Sequence, residues 1–179
     1  MASTSAKPAR KTSATGKAPA KDAAARRPGP GDAAPAFSLP GTGGRTASSA
    51  SLAGRPFVLY FYPRANTTGC GREAADFNAA LGEFAAAGVA VIGASRDPMP
   101  AIERFAAKLD LGFPLASDED HRVADAYGVW VEKSLYGRRS MGIERSTFLV
   151  GADGRIARVW RKVSVAGHAA EVLRAAKAL

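Results

Sequence analysis

Two short apolar runs, Phe57-Val-Leu-Tyr-Phe-Tyr62 and Val89-Ala-Val-Ile-Gly-Ala-Ser95, are each bounded by Gly, Pro or polar residues. Runs this short and apolar throughout read as buried strands. Between them Ala74, Phe77, Leu81 and Phe84 recur at spacings of three and four, which puts them on one face of a helix closed by Gly88. The unit is therefore βαβ, and its two strands should lie parallel, since a crossover helix joins strands that run the same way.

The remaining segments extend this pattern. A second helix is expected from about Pro98 to Leu109, with Ile102, Phe105 and Leu109 on one face. A short apolar piece, Phe113–Ala116, follows, and then a helix starting near Asp118 to Asp120, where acidic residues suit the positive helix end. Thr147–Val150 and Arg155–Trp160 flank Gly151-Ala-Asp-Gly154, a strong hairpin signal, and the last helix carries Ala170, Val172, Leu173, Ala176 and Leu179. The order predicts an α/β, thioredoxin-like fold: a mixed central β-sheet flanked by helices, with an N-terminal β-hairpin extension.

Residues 35–179 are expected to form this one domain, and 46% hydrophobic residues in a chain of 179 suffice for its core. Residues 1–34 differ in kind. They hold Ala, Lys, Pro, Ser and Thr in near-random order, and seven basic residues against two acids give them +5 of the chain's formal +9. Such a segment cannot bury enough apolar area to offset its ordering entropy, so a disordered tail is expected. Three roles fit it: a solubilising extension, an arm on nucleic acid or an anionic surface, or a transit-type address. No long apolar run and no secretory h-region are present, so neither membrane insertion nor export is expected, and the cytoplasm is the expected location.

Cys70 is the only cysteine. That argues against a disulfide framework, a CxxC redox pair or a Cys-rich zinc site, and it suits a reducing compartment. It sits in Tyr62-Pro-Arg-Ala-Asn-Thr-Thr-Gly-Cys70, where the first strand of the βαβ unit turns into its helix. Free backbone N–H groups and the helix dipole favour a thiolate at such a position. An ordinary thiol, with a pKa of about 8.5, is a few per cent ionised at pH 7, so ionisation alone gains roughly thirtyfold at most. A fast reaction therefore needs donors aimed at the transition state, such as the N–H groups at Gly69 and Cys70, a Thr hydroxyl and an Arg guanidinium.

The string Pro63-x-x-x-Thr67-x-x-Cys70 resembles the PxxxTxxC motif of peroxiredoxins. With "GDAAPAFSL" before it, and "DAYGVW" and "YGRRSMGIERSTFLVGADGRIARVWRKV" after it, the chain from about residue 31 to 179 is similar to their Q-type branch, the bacterioferritin comigratory proteins. The resemblance implies a thiol-dependent peroxidase without cofactor or metal, reducing hydrogen peroxide and organic hydroperoxides in antioxidant defence. Cys70 matches the peroxidatic cysteine that becomes a sulfenic acid. Thr67 matches the residue whose hydroxyl bonds the sulfur or the peroxide, Pro63 the proline that shields the site, and Arg145 the arginine that polarises the peroxide. Glu73 and Gly69 are expected to support this set. Two departures stand out: Thr68 replaces the usual proline, and Ala75 stands where the branch often carries a resolving cysteine. The resemblance thus implies a one-cysteine enzyme completed by an external thiol (thioredoxin, glutaredoxin with glutathione, or another small thiol) or by Cys70 of a second molecule, and a monomer.

A disulfide oxidoreductase is disfavoured because Cys70-Gly-Arg-Glu73 has no second cysteine. From another class, a redox sensor or binding module could use Cys70 oxidation as its signal, with the basic tail on nucleic acid. His121 and His168 have no partner at metal-ligand spacing. The basic clusters at residues 136–139 and 160–163 read as solvated edges, with docking of an acidic reductant as the alternative.

Overall fold

The computed structural model describes residues 26–179. A seven-stranded mixed sheet runs through it in the order β2-β1-β5-β4-β3-β8-β9. Its strands are β1 (Ser38–Gly41), β2 (Arg45–Ser48), β3 (Phe57–Phe61), β4 (Ala90–Ser95), β5 (Leu115–Ser117), β8 (Ser146–Val150) and β9 (Ile156–Trp160). Two further strands, β6 (Trp130–Leu135) and β7 (Arg138–Ile143), pair as a separate antiparallel hairpin. The helices are α1 (Thr68–Ala79), α2 (Leu81–Ala86), α3 (Met99–Lys108), α4 (Arg122–Ala126) and α5 (His168–Lys177). This is the thioredoxin-like architecture, and the expected βαβ unit is present, with β3 parallel to β4.

Alternation along β3 builds two cores. Val58, Tyr60 and Tyr62 face a layer with Phe77 of α1, Phe84 of α2, Ile102 and Phe105 of α3, and Val172 of α5. Phe57, Leu59 and Phe61 face the opposite layer, with Val123 and Ala124 of α4 and Tyr127. Every residue of β3 is buried, the condition under which a strand reads as a continuous apolar run. Tyr60 stacks on Phe77 with ring centroids 4.7 Å apart, which fixes α1 against the sheet. The carboxyl ends of β3, β4 and β5 share one edge, and the turn to Cys70 leaves from there, the usual place for sites in α/β folds.

The structure differs from the sequence reading at four places. The helix expected through Phe84 breaks at Ala80, whose φ of −90° and ψ of 0° close α1 and open α2. The helix expected near Asp118 begins only at Arg122, because the Asp118 carboxylate accepts from the Val123 and Ala124 N–H groups at 3.2 and 2.7 Å and so caps it from the preceding turn. The hairpin β6–β7 was not expected as strands. Finally, residues 26–34 are packed on the domain. Gly31 N–H donates to Ile156 O at 2.8 Å, Arg161 Nη2 to Pro28 O at 2.7 Å, and Arg27 reaches Gly128 O and Glu144. The folded unit thus includes this stretch, ahead of the expected boundary at Pro35, while the tail expectation for residues 1–25 lies outside the described residues.

A chain starting at residue 35 is expected to be less stable than one starting at residue 26 by about 2–4 kcal/mol, from several lost bonds worth roughly 1 kcal/mol each. Urea unfolding of the two truncated proteins checks this, and equal midpoints would contradict it.

Candidate active site

Cys70 sits in the first turn of α1 and is 2% exposed. Thr67 is the N-cap, and its hydroxyl accepts from Cys70 N–H at 3.4 Å while donating to Arg64 O at 3.1 Å. This hydroxyl, expected to bond the sulfur or the peroxide, here gives its proton to the Arg64 carbonyl. The N–H groups of Thr68 and Gly69 lie in the first turn, where no intrahelical carbonyl reaches them, so they remain available to an anion beside the sulfur.

Arg145 lies just before β8, which pairs antiparallel with β3 and matches Ser146 to Phe61. That register delivers the guanidinium to the start of α1. Nη2 donates to Cys70 Sγ at 3.2 Å, and Nη1 forms a short ion pair with Glu73 Oε2. Gly69 makes room, since a Cβ there would come within 3.3 Å of Nη2. Glu73 is 1% exposed and its Oε1 has no partner. Burial pushes its carboxyl up to about 7, with Arg145 pulling the other way. For Arg145, loss of water lowers the pKa, but the charges and hydrogen bonds of Glu73 and Cys70 outweigh that and leave it above the ordinary value.

The structure brings Cys70, Arg145, Glu73, Gly69 and Thr67 together and leaves Pro63 half-buried at the exit of β3. It also adds Asp97, which sequence reasoning missed. Asp97 Oδ2 accepts from Ala65 N–H and from Ser95 Oγ, both at 2.7 Å, while Ser117 Oγ donates to Asp97 O at 2.6 Å. The carboxyl ends of β4 and β5 are thereby tied to the loop that carries Thr67. The available signal was an Asp at the carboxyl end of a buried parallel strand.

Neither histidine is bonded to the sulfur. His121 stacks on Trp130 at 4.2 Å, and His168 Nε2 lies 2.7 Å from Thr147 Oγ1, where burial lowers its pKa to about 4. Among the described residues no group of three His, Cys, Asp or Glu side chains is arranged to hold a metal, and no helix is long and apolar enough to cross a membrane. A cavity of about 220 Å³ borders the site, lined by Thr67, Gly71, Phe105 and Leu109, with Arg72 and Lys108. Another cavity, about 980 Å³, lies at the other end of β3 beside Pro56, Ile156 and Ala176, away from Cys70.

Residues 30–159 match the AhpC/TSA family. Peroxiredoxin Bcp of Xanthomonas campestris is 47% identical over 137 residues, 76% of this chain and 86% of that protein. A structure of the Xanthomonas campestris bacterioferritin comigratory protein, described for its alkyl peroxide reduction activity, is 45% identical with a TM-score of 0.76, covering 79% of this chain and 90% of that one. PrxQ of Xylella fastidiosa superposes with a TM-score of 0.81 at 38% identity, over 86% of this chain and 98% of its own.

A carboxyl held near 7 when folded and near 4.5 when unfolded keeps its proton in the folded state across that window. Glu73 therefore lowers stability progressively as pH rises from about 4.5 to 7, and its effect is constant above that. His168, neutral when folded, has the opposite slope from about 4 to its ordinary 6.5, and comparison with a variant cancels it. Relative to wild type, Glu73→Gln is expected to gain roughly 2–3 kcal/mol between pH 5 and pH 8 in urea titrations. A stability difference independent of pH would contradict the shift.

Proposed function

The chain belongs to the AhpC/TSA family, in the peroxiredoxin Q/Bcp branch, and is a one-cysteine thiol-dependent peroxidase; from that premise we propose that Cys70 is its peroxidatic thiol, held and activated by Arg145. The observation that carries this reading is the 3.2 Å contact from Arg145 Nη2 to Cys70 Sγ at the start of a helix.

The Sγ thiolate attacks one peroxide oxygen. An S–O bond forms as the O–O bond breaks, and the departing oxygen takes a proton and leaves as water or an alcohol. The sulfur is left as a sulfenic acid. Negative charge moves from sulfur onto the leaving oxygen during this step, so fixed cationic and N–H donors around the path stabilise the transition state without having to reorganise. Arg145 supplies the cation, Glu73 holds it in place, and the first-turn N–H groups add their dipoles. Thr67 holds the turn through its cap, and on rotation its hydroxyl can reach an incoming peroxide.

Hydrogen peroxide and organic hydroperoxides are the proposed substrates. The alkyl peroxide activity described for the Xanthomonas campestris relative supports the second, as does the apolar wall of Phe105 and Leu109 in the cavity beside Thr67. With a single cysteine in the chain and Ala75 one turn along α1, no second thiol of this chain can reduce the sulfenic acid. An external thiol, thioredoxin or glutaredoxin with glutathione, completes the cycle, and the monomer is the proposed working form.

Peroxide consumption with dithiothreitol as reductant tests the assignment. Cys70→Ser is expected to abolish turnover. Arg145→Met should lower the rate constant for peroxide by about 10²–10³, the usual cost of removing one transition-state donor. Thr67→Val should cost less, about tenfold, along with roughly 1 kcal/mol of stability from the lost cap. A rate for Arg145→Met within threefold of wild type would remove Arg145 from the mechanism.

A further inference from the structure

Four large hydrophobic side chains are exposed among the described residues, and three of them, Leu135, Tyr136 and Met141, belong to the β6–β7 hairpin. Tyr136 is 96% exposed at its tip and has φ +51°, a left-handed conformation strained for a residue with a bulky side chain, followed by Gly137 at φ +75°. Pairing of Lys133 with Ser140 and of Leu135 with Arg138 puts these four residues on one face. The base of the hairpin, Ile143, lies two residues before Arg145. Lys133 lies close enough to feel the charges of Arg145 and Cys70, and its ammonium is turned to the Ile143 carbonyl.

We propose that the hairpin face carrying Lys133, Leu135 and Arg138, capped by Tyr136, is the docking surface for an acidic dithiol protein that reduces oxidised Cys70. The inference rests on the peroxidase reading above. Because Sγ is buried, a partner cannot recognise the sulfur until the first turn of α1 moves, so it has to be held by a neighbouring element. The composition fits a protein partner better than nucleic acid. Glu132 pairs with Arg139 at 3.5 Å and Lys133 is bonded to a carbonyl, which leaves Arg138 as the hairpin cation with no bonded partner among the described residues. One free cation beside Tyr136 and Leu135 is the make-up of a protein interface, while a phosphate backbone calls for several free cations. The positive charge selects an acidic rim on the partner.

In the reduction, one partner thiolate attacks Sγ of the sulfenic acid. An S–S bond forms as the S–O bond breaks, and the oxygen leaves as water after taking up protons. The partner's second thiolate then attacks the partner's own sulfur in the mixed disulfide, releasing Cys70 as thiolate. The partner ends as a disulfide, having given up the two electrons that Sγ gained.

The test uses the enzyme carrying 5-thio-2-nitrobenzoate as a mixed disulfide on Cys70, so the readout does not depend on peroxide chemistry. Release of the coloured thiol is timed with reduced thioredoxin and with dithiothreitol. For Arg138→Glu, and for Leu135→Ser with Tyr136→Ser, the thioredoxin rate is expected to fall tenfold or more while the dithiothreitol rate is unchanged. The wild-type thioredoxin rate should also fall severalfold between about 0.05 and 0.5 M salt. The proposal is overturned by thioredoxin rates within twofold of wild type, by equal losses with both reductants, or by a wild-type enzyme on which thioredoxin has no advantage over dithiothreitol. Loss of DNA-duplex binding in Arg138→Glu with unchanged thioredoxin rates would likewise overturn it, in favour of a nucleic-acid surface. Oxidation of Cys70 by hydrogen peroxide, measured separately, should be unchanged in these variants. Slow oxidation in wild type would count against the peroxidase reading without touching the docking result.

Discussion

Arg145 is gripped on one side by a buried carboxylate and reaches on the other to a buried sulfur. Neither contact is local, since Glu73 and Cys70 lie 72 and 75 residues away in sequence. The guanidinium arrives because β8 pairs with β3 in a register that opposes Ser146 to Phe61, and α1 is aimed by Ala74 and Phe77 packing on the sheet, with Phe77 stacked on Tyr60. Sheet pairing, helix packing and the site are thus one construction. A cation between two potential anions also settles the charge balance, because a buried Glu73 left unpaired would otherwise carry its full desolvation cost.

The same construction explains the conflicting demands on Glu73. Ionised, it fixes the guanidinium; neutral, it leaves more of the cation's field to the sulfur. Burial sets its titration near 7, so both forms are accessible close to neutrality. Asp97 acts at a further remove. Its carboxylate holds Ala65 N–H and Ser95 together and so anchors the chain between Pro63 and Thr67, where Asn66 adopts φ +60°.

Much of this was legible in the residues. The strands β3 and β4 announce themselves because both faces are buried, and Cys70 stands out as a lone thiol at a strand-to-helix turn. The Glu73–Arg145 pair was not visible in any local pattern, since periodicity carries no information across 72 residues; the resemblance to peroxiredoxins alone brought Arg145 forward. The β6–β7 hairpin escaped notice because most of its residues face solvent, which removes the alternation that marks a half-buried strand, and because its turn places Tyr, not Asn or Asp, at a positive φ. The attachment of residues 26–34 was not legible because it runs mainly through backbone bonds and through Arg27, Arg155 and Arg161, with only the small Ala34 side chain recorded against the apolar layer.

Arg145 and the first turn of α1 should together make Cys70 react with peroxide as an ordinary thiol does not. The most direct measurement is intact mass of the reduced protein after one equivalent of hydrogen peroxide, with a sulfenic-acid trap, timed against free cysteine in the same solution. The expected result is a trapped adduct at Cys70, absent in Cys70→Ser, that forms orders of magnitude faster than free cysteine is consumed. Oxidation of Cys70 no faster than that of free cysteine would contradict it, and would mean that the sulfur, the arginine and the helix are assembled without activating the thiol.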